Sequence, residues 1–287
     1  MSSCGVMVYT PQQLAEISPD AEIPGVVGID MTYPSPPAGL ERLEPRHLDL
    51  VLVSSEAWKK AVAPHCRCPV RVVRAPRAPD AVDLPAQPAV MFVNLEANAG
   101  EGRYDVFAMG IARFLIRNPD APALFACKPG AVDVFDITRR ELARFGVKSS
   151  KMYDALAKVV VRTNAERTAD VGVSVAQAPG SGDAILDFAA TGRPVIAPAT
   201  GCARDVEGLA LLVPATAEFY EPGRGRAHVV NPDDLCMALE AMMLRETRQR
   251  YGRGARSAAF RSEARARAEL DVLLNLAKAT RALDGVE

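Results

Sequence analysis

The chain has 287 residues, which is long for one compact domain and sufficient for two. Apolar residues make up 49% of it and aromatic residues only 6%, a composition that favours helices packed closely on a sheet over an all-β sandwich. The formal net charge of −1 excludes a general attraction to nucleic acid or anionic membranes.

Cysteine usage and the N-terminal stretch indicate the compartment. The six cysteines lack the spacing of a disulfide framework, and MSSCGVMVYT lacks the basic and apolar segments of a secretory signal. No apolar stretch is long enough to span a bilayer. We therefore predict a cytoplasmic protein without a membrane span.

His65, Cys66 and Cys68 form one small group of metal donors, but no second group completes a zinc site, so we predict no metal.

Short apolar runs separated by proline-rich breaks dominate the first 80 residues. They predict buried strands at Val6–Tyr9, Val26–Ile29, Leu48–Val53 and Val70–Val73. Ser55–Ala63 predicts a helix that begins at a serine cap. The following stretch, Ala75–Ala89, is rich in proline and predicts a linker.

After this linker, strands and helices alternate. The predicted strands are Ala89–Leu95, Ala123–Lys128, Asp170–Ala176, Arg193–Pro198 and Leu209–Ala215. The predicted helices are Tyr104–Arg117, Thr138–Phe145, Ser150–Ala157, Ile185–Ala190 and most of the chain from Pro232 onward. This alternation predicts a parallel sheet covered by helices on both faces.

The stretch APGSGDAILDF, residues 178–188, places a loop and a helix start directly after a predicted strand. In doubly wound sheets, ligands bind at such loops, and the backbone N–H groups of Gly180, Ser181 and Gly182 could bind an anion there. One turn beyond Asp183, Asp187 could accept hydrogen bonds from a ribose diol. An ordinary helix cap, with Ser181 as N-cap, explains the same residues. Both interpretations stay open.

The order of these segments resembles the carboxyl half of a GT-B glycosyltransferase of the retaining, family-4 kind. The family motif E-G-F-G-x-x-x-x-E-A-x-A-x-G-x-P-V-I-A is similar to Gly180–Gly182 followed by Asp187–Ala197. Three further segments resemble family segments in the same order, and the likeness runs from Leu48 to Ala264. These segments are 48–62, 102–128 and 229–256.

The resemblance implies an α/β fold of the GT-B type, with two Rossmann-like parallel-sheet domains that face a cleft, the N-terminal one reduced. It implies an acceptor-side domain over 1–80 and a nucleotide-sugar-binding domain over 81–261. A C-terminal helix over 262–287 is expected to pack back on the first domain.

The resemblance also implies an activity, the transfer of a sugar from a nucleotide-diphosphate sugar to an acceptor with retention and without a cofactor or metal. Asp30 and Arg103 are the predicted catalytic residues, Asp30 as a base or an acceptor ligand, although a turn-starting aspartate explains it equally. Arg103 would face the diphosphate and Asp187 would bind the ribose. The predicted donor site comprises Lys128, Gly180, Ser181, Gly182, Asp183, Ala184 and Asp187.

Several positions depart from the family pattern. Pro179 stands at the first family glutamate, Asp187 at the second, Tyr104 at the family lysine, and Asp183 adds a negative charge beside the diphosphate site. A catalytically lapsed binding or assembly subunit is therefore an alternative function. A Rossmann enzyme that uses another nucleotide is disfavoured, because no G-x-G-x-x-G follows the first strand.

The acceptor stays open among a glycan, a lipid, a protein and a modified nucleic-acid base, and the short N-terminal half predicts a homo-oligomer or a partner subunit. Arg245–Arg267 contains eight arginines and two glutamates. A solvated helix face explains this excess, and so does a surface that binds phosphate groups or an acidic partner.

Overall fold

The structure is a computed structural model. It describes residues 7–9, 27–31, 51–53, 55–56, 59–60, 63–65, 69–72, 90–95, 103–129, 133–176, 182–221 and 225–284. The chain forms two compact units. The smaller unit comprises 1–78, 219–227 and 261–287, and the larger comprises 79–218 and 228–260.

The smaller unit contains a four-stranded parallel sheet. Its strands follow one another in chain order as β1 (Met7–Tyr9), β2 (Val27–Met31), β3 (Val51–Val53) and β4 (Val70–Val72). Apolar runs of this kind form buried strands because their side chains leave water on both faces of a parallel sheet. The four predicted strands are present, although the described side chains of β4 are partly buried or exposed. The predicted linker lies outside the described residues.

The larger unit contains a six-stranded parallel sheet of order β10-β9-β8-β5-β6-β7. Its strands are β5 (Val90–Asn94), β6 (Phe125–Cys127), β7 (Val159–Val161), β8 (Ala169–Val173), β9 (Val195–Pro198) and β10 (Leu211–Val213). Its helices are α1 (Tyr104–Arg117), α2 (Val134–Arg144), α3 (Ser149–Leu156), α4 (Asp183–Ala190), α5 (Gly201–Asp205) and α6 (Pro232–Met243).

Two elements extend beyond this alternation. A separate two-stranded sheet pairs β11 (Ala215–Glu221) with β12 (Gly225–Val230). The last helix, α7 (Arg245–Asp284), contributes residues to both units.

Two clusters of buried side chains cover the two faces of the six-stranded sheet. One face carries large residues: the rings of Phe92 and Phe125 stack at 5.2 Å, and Phe114 of α1 meets them edge-on at 6.2 and 5.5 Å. The other face carries smaller residues such as Val93 and Ala126, packed against α4, α5 and α7. Adjacent strand residues point to opposite faces, so one alternating strand supplies both clusters.

Some element boundaries differ from the sequence prediction. Helix α2 begins at Val134 instead of Thr138, and α4 begins at Asp183 instead of Ile185. Strand β7, helix α5 and the β11–β12 sheet were not predicted from the sequence. Helix α5 has only five residues, which is too short for a hydrophobic period to show. Strand β7 is a run of three valines, as long as the predicted strands β6 and β10, so its signal was present and overlooked.

Arg193 is buried at the amino edge of the larger sheet. Its guanidinium lies 3.9 Å above the ring of Phe188 and donates to the Thr191 hydroxyl and to the carbonyls of Glu166 and Ala169. Burial lowers the pKa of Arg193 to about 10, which still leaves it charged at neutral pH. The residue therefore joins the end of α4 to the start of β8.

We expect Arg193→Met to lower the free energy of unfolding by about 2–4 kcal/mol, because the buried carbonyl of Ala169 and the partly buried carbonyl of Glu166 lose their donor. Urea denaturation followed by circular dichroism measures this change. Arg167→Met removes an exposed arginine from the preceding segment and is expected to change stability by less than about 0.5 kcal/mol. Equal losses in both variants would contradict this role.

Two glycines of α7 permit a close approach between the helix and two turns of the larger unit. A Cβ atom on Gly252 would lie 2.4 Å from the carbonyl oxygen of Gly192, and one on Gly254 would lie 3.0 Å from that of Gly208. The atoms that the added Cβ would meet are backbone carbonyl oxygens, which cannot move aside by rotation of a side chain. The glycines therefore fix the position and rotation of the first half of α7.

We expect Gly252→Ala to destabilise the protein by about 1–3 kcal/mol, since the added methyl group displaces a backbone carbonyl. The direction of the change in stability is informative, because Gly→Ala at a solvent-exposed position within a helix stabilises by about 1 kcal/mol. Chemical denaturation gives the value. Ser257→Ala, on the exposed side of the same helix, serves as the control and is expected to be neutral or slightly stabilising.

Candidate functional site

The strand order of the larger sheet creates a topological switch point beside β5. The chain leaves β5 for β6 on one side and later returns to β8 on the other side. Helices α1 and α4, which follow β5 and β8, therefore diverge at the carboxyl ends of two adjacent strands. Open α/β sheets bind their ligands in the crevice at such a point. We refer to the carboxyl ends of β5, β6 and β8 as the switch-point edge.

Two buried polar residues end the strands at this edge. Asn94 closes β5, Ser174 directly follows β8, and both side chains are fully buried. The backbone N–H of Leu95 donates to the carbonyl of Val173 at 2.9 Å, which holds the two strand ends together. Neither Asn94 nor Ser174 was predicted as a site residue. Each is a polar residue at the end of an apolar run, and this pattern could have identified both.

Arg103 is the N-cap of α1, the helix that follows β5. Its backbone has φ 41° and ψ 53°, a left-handed conformation that costs a non-glycine residue about 1–3 kcal/mol and that is frequent at functional sites. Its Nε and Nη2 atoms donate to the Asp105 carboxylate at 2.9 and 3.0 Å. This bidentate pair fixes the guanidinium and uses two of its five N–H donors. The next residue, Tyr104, is buried in the core.

Lys128 directly follows β6 at the same edge. Its Nζ donates to the carbonyl oxygen of Leu95 at 2.8 Å, so the ammonium group bridges the carboxyl ends of β6 and β5. The side chain is partly buried. Lys128 therefore lies at the switch-point edge.

Gly182 opens α4 with φ 69°, and its carbonyl accepts the Leu186 N–H at 2.9 Å. A Cβ atom here would lie 1.7 Å from the sulfur of Cys202. Glycine is therefore required by packing as well as by backbone conformation. Gly180 and Ser181, with Pro179, lie outside the described residues.

The remaining residues predicted on α4 occupy its outer side. Asp183 and Asp187 are four residues apart and share one side of the helix, whereas Ile185 and Phe188 are buried on the opposite side. Asp187 is exposed, and Ala184, in the first turn, is partly buried. The first turn of α4 has N–H groups without intrahelical partners, which is a general property of helix N-termini.

Asp30 is in the other unit of the chain. It belongs to β2 of the smaller unit and pairs in register with Leu52 of β3. Its side chain lies outside the described part of the structure.

Two buried thiols of the larger unit are poor candidates for chemistry. Burial raises the pKa of Cys127 to about 12 and that of Cys236 to about 11, so neither is a thiolate nucleophile at neutral pH. Among the described residues, no three of the types His, Cys, Asp and Glu are grouped to hold a metal ion. No helix in that part of the chain is long and apolar enough to cross a membrane.

Comparisons with known proteins identify the fold. No family model and no curated protein matches the sequence. TarM matches with a TM-score of 0.64 and 13% identity over 94% of this chain and 54% of TarM. The UDP-forming α,α-trehalose-phosphate synthase of Burkholderia xenovorans matches with a TM-score of 0.62 and 11% identity, over 95% of this chain and 74% of the synthase. The predicted fold class is confirmed. The chain has a GT-B fold.

A sucrose-phosphate synthase from Thermosynechococcus elongatus matches at a TM-score of 0.58 and 13% identity, over 98% of this chain and 74% of its own. At this level of identity the likeness establishes the fold alone. The chain spans about half the length of TarM.

We expect Gly182→Ala to be more destabilising than Gly146→Ala. Both glycines have positive φ, but a Cβ on Gly146 would meet nothing within 4 Å, so that variant measures backbone strain alone. Strain costs about 1 kcal/mol, and the clash with Cys202 adds to it. In a double-mutant cycle, Cys202→Ala should reduce the cost of Gly182→Ala by about 1 kcal/mol or more. Additive effects would argue against the contact.

Proposed function

We propose that the chain is a glycosyltransferase that binds a nucleotide-diphosphate sugar at the switch-point edge and transfers its sugar to an acceptor. The observation that carries this proposal is that three groups suited to an anion follow the carboxyl ends of adjacent strands β5, β6 and β8 in the chain. They are the Arg103 guanidinium, the Lys128 ammonium and the N-terminus of α4. A diphosphate leaving group develops negative charge as the glycosidic bond breaks, and preorganised cations and N–H groups stabilise it.

Each residue has a role in this proposal. Arg103 and Lys128 bind the diphosphate, since the N–H donors not used by Asp105 and Leu95 remain for phosphate oxygens. Gly180–Ala184 bring backbone N–H groups to it. Asp187 accepts hydrogen bonds from the ribose, and Asp30 acts on the acceptor side. The sugar is transferred with retention, as in family-4 enzymes, and neither metal nor further cofactor is needed.

Asp105 makes Arg103 a preorganised donor. The bidentate pair holds the guanidinium while the site is empty, so binding a phosphate costs little side-chain entropy. Asp183 acts in the opposite direction, because its carboxylate repels a diphosphate at the same helix turn. The cations of Arg103 and Lys128 offset this repulsion.

Acceptors that fit this chemistry carry a hydroxyl group, on a glycan, a lipid, a protein or a modified nucleic-acid base. Two proteins that share the fold are named trehalose-phosphate synthase and sucrose-phosphate synthase, which supports a glycan or sugar-type acceptor first. Assembly as a homo-oligomer or with a partner subunit belongs to the same proposal.

The test is a thermal-shift screen with UDP, GDP, ADP, CDP and their sugars, without added metal. A ligand at about 100 times its Kd stabilises by about 2.7 kcal/mol, so one nucleotide class should raise Tm by several degrees. Retention is checked by the anomeric configuration of the product.

Two substitutions locate the site. Lys128→Met should weaken nucleotide binding by about 10-fold or more, because a charged hydrogen bond to phosphate is lost. Lys158→Met is the matched control: Lys158 also donates to carbonyls, of Pro119 at 2.6 Å and Ala121 at 2.8 Å, but at the amino edge of the sheet. Equal affinity in the two variants would place the site elsewhere.

Arg103→Gly separates binding from folding. Glycine adopts the left-handed backbone of this position without strain, so the variant should fold with little loss of stability. It should nevertheless lose nucleotide affinity by about 10-fold or more. Unchanged affinity would remove Arg103 from the donor site.

A second function, that of a catalytically lapsed binding or assembly subunit, is favoured by one observation. Tyr104, at the position of the family lysine, is buried in the core and supplies no cation. A protein that binds none of the nucleotides in the screen would have this function.

A further inference from the structure

The arginine-rich part of α7 contains two kinds of arginine. Arg248 is partly buried, donates to the carbonyls of Met242 and Met243 at 2.7 Å, and pairs with Asp170 at 2.9 Å. It therefore stabilises the fold. In the smaller unit, Arg265 pairs with Glu56 and Arg267 with Glu263. These arginines have acidic partners already.

Four arginines within the larger unit differ from these. Arg245, Arg250, Arg253 and Arg256 are exposed, and no salt bridge with a described residue engages any of them. Arg250 and Arg256 lie over the rings of Tyr251 and Phe260, at 6.0 and 5.7 Å from the ring centres. We call these four residues the arginine face.

The rotation of α7 places the four side chains on one side. At 100° per residue they fall within a sector of about 140° and extend over about 16 Å along the axis. The adjoining sector of the helix, about 120° wide and containing Gly252, Ala255 and Ala258, is buried, and the close approach of Gly252 to Gly192 prevents rotation. The arginine face is therefore a fixed surface. Glu246, the single acid between Arg245 and Phe260, lies within the same sector, so the four arginines and this acid give the face a net charge of about +3.

We propose that the arginine face binds the phosphate backbone of a single-stranded nucleic acid. Guanidinium groups bind phosphates bidentately and stay charged at physiological pH. Phe260 stands beside Arg256 with 44% of its surface exposed, and an exposed aromatic ring next to cations is the combination on which unpaired bases stack. An acidic protein or a membrane would use the charges but would not need the ring.

Salt dependence gives the first test. Binding of the full chain to fluorescent oligothymidine of about 20 nucleotides is measured by anisotropy at several NaCl concentrations. Four phosphate contacts predict a slope of log K against log salt of about −2.8, which is a loss of about 50-fold between about 50 and 200 mM NaCl. Absence of binding at the lowest salt overturns the proposal.

Matched variants give the second test. Arg250→Gln/Arg253→Gln should weaken binding by about 10-fold at 100 mM NaCl and make the slope shallower by about 1.4. The control, Arg139→Gln/Arg144→Gln, removes two exposed arginines of α2 that pair with Asp136 and Glu141. It has the same change in charge and should leave binding unchanged. Equal losses in the two double variants would overturn the proposal.

Phe260→Ala distinguishes nucleic acid from other polyanions. It should weaken oligothymidine binding by about 5-fold or more and leave the salt slope unchanged. Phosphatidylserine vesicles and polyglutamate are measured in parallel. Tighter binding to either of them than to oligothymidine, with the same dependence on the arginine face, overturns the proposal in favour of a membrane or an acidic protein.

Discussion

The parallel pairing of β5 with β8 is the interaction on which the rest of the larger unit depends. These strands are adjacent in the sheet but are separated in the chain by two other strands and by α1, α2 and α3. Because β5 is central, its alternating side chains Phe92 and Val93 supply both cores. The same pairing brings Asn94 and Ser174 to the switch-point edge, so folding of the core and assembly of the candidate site are one event.

The second face of this sheet depends on small residues. Large rings fill the first face, whereas alanines and glycines on the second allow helices to approach strands and turns at backbone distance. Gly172 is an example, since a Cβ there would lie 2.8 Å from Phe188. Small side chains let helices and strands approach closely, so a chain with only 6% aromatic residues can still fill its core. An added methylene at such a contact would not fit.

Sequence patterns predicted the long elements well and the connections poorly. The boundaries of α1 agree with the prediction at both ends, because a 14-residue helix displays its hydrophobic period over several turns. Strand β7 was missed although its three valines form an apolar run as long as the predicted strands β6 and β10.

The candidate site was predictable in part, since a loop after a parallel strand can be recognised from local signals. The pairing of Arg103 with Asp105, the burial of Tyr104 and the contact of Gly182 with Cys202 were not predictable. They depend on backbone conformations or on residues distant in sequence. Gly182 illustrates the limit, because a glycine required by packing has the same sequence signal as one required by a ligand.

The arginine face and the switch-point edge lie at opposite edges of the larger sheet. Helix α7 meets the sheet through Arg248 at Asp170 near the start of β8, and through Gly252 and Gly254 at the turns that precede β9 and β10. All three contacts are at amino ends of strands, whereas Lys128 and α4 are at carboxyl ends. A polyanion on α7 therefore leaves the donor site open. The two proposed sites can be occupied together, and loss of one does not imply loss of the other.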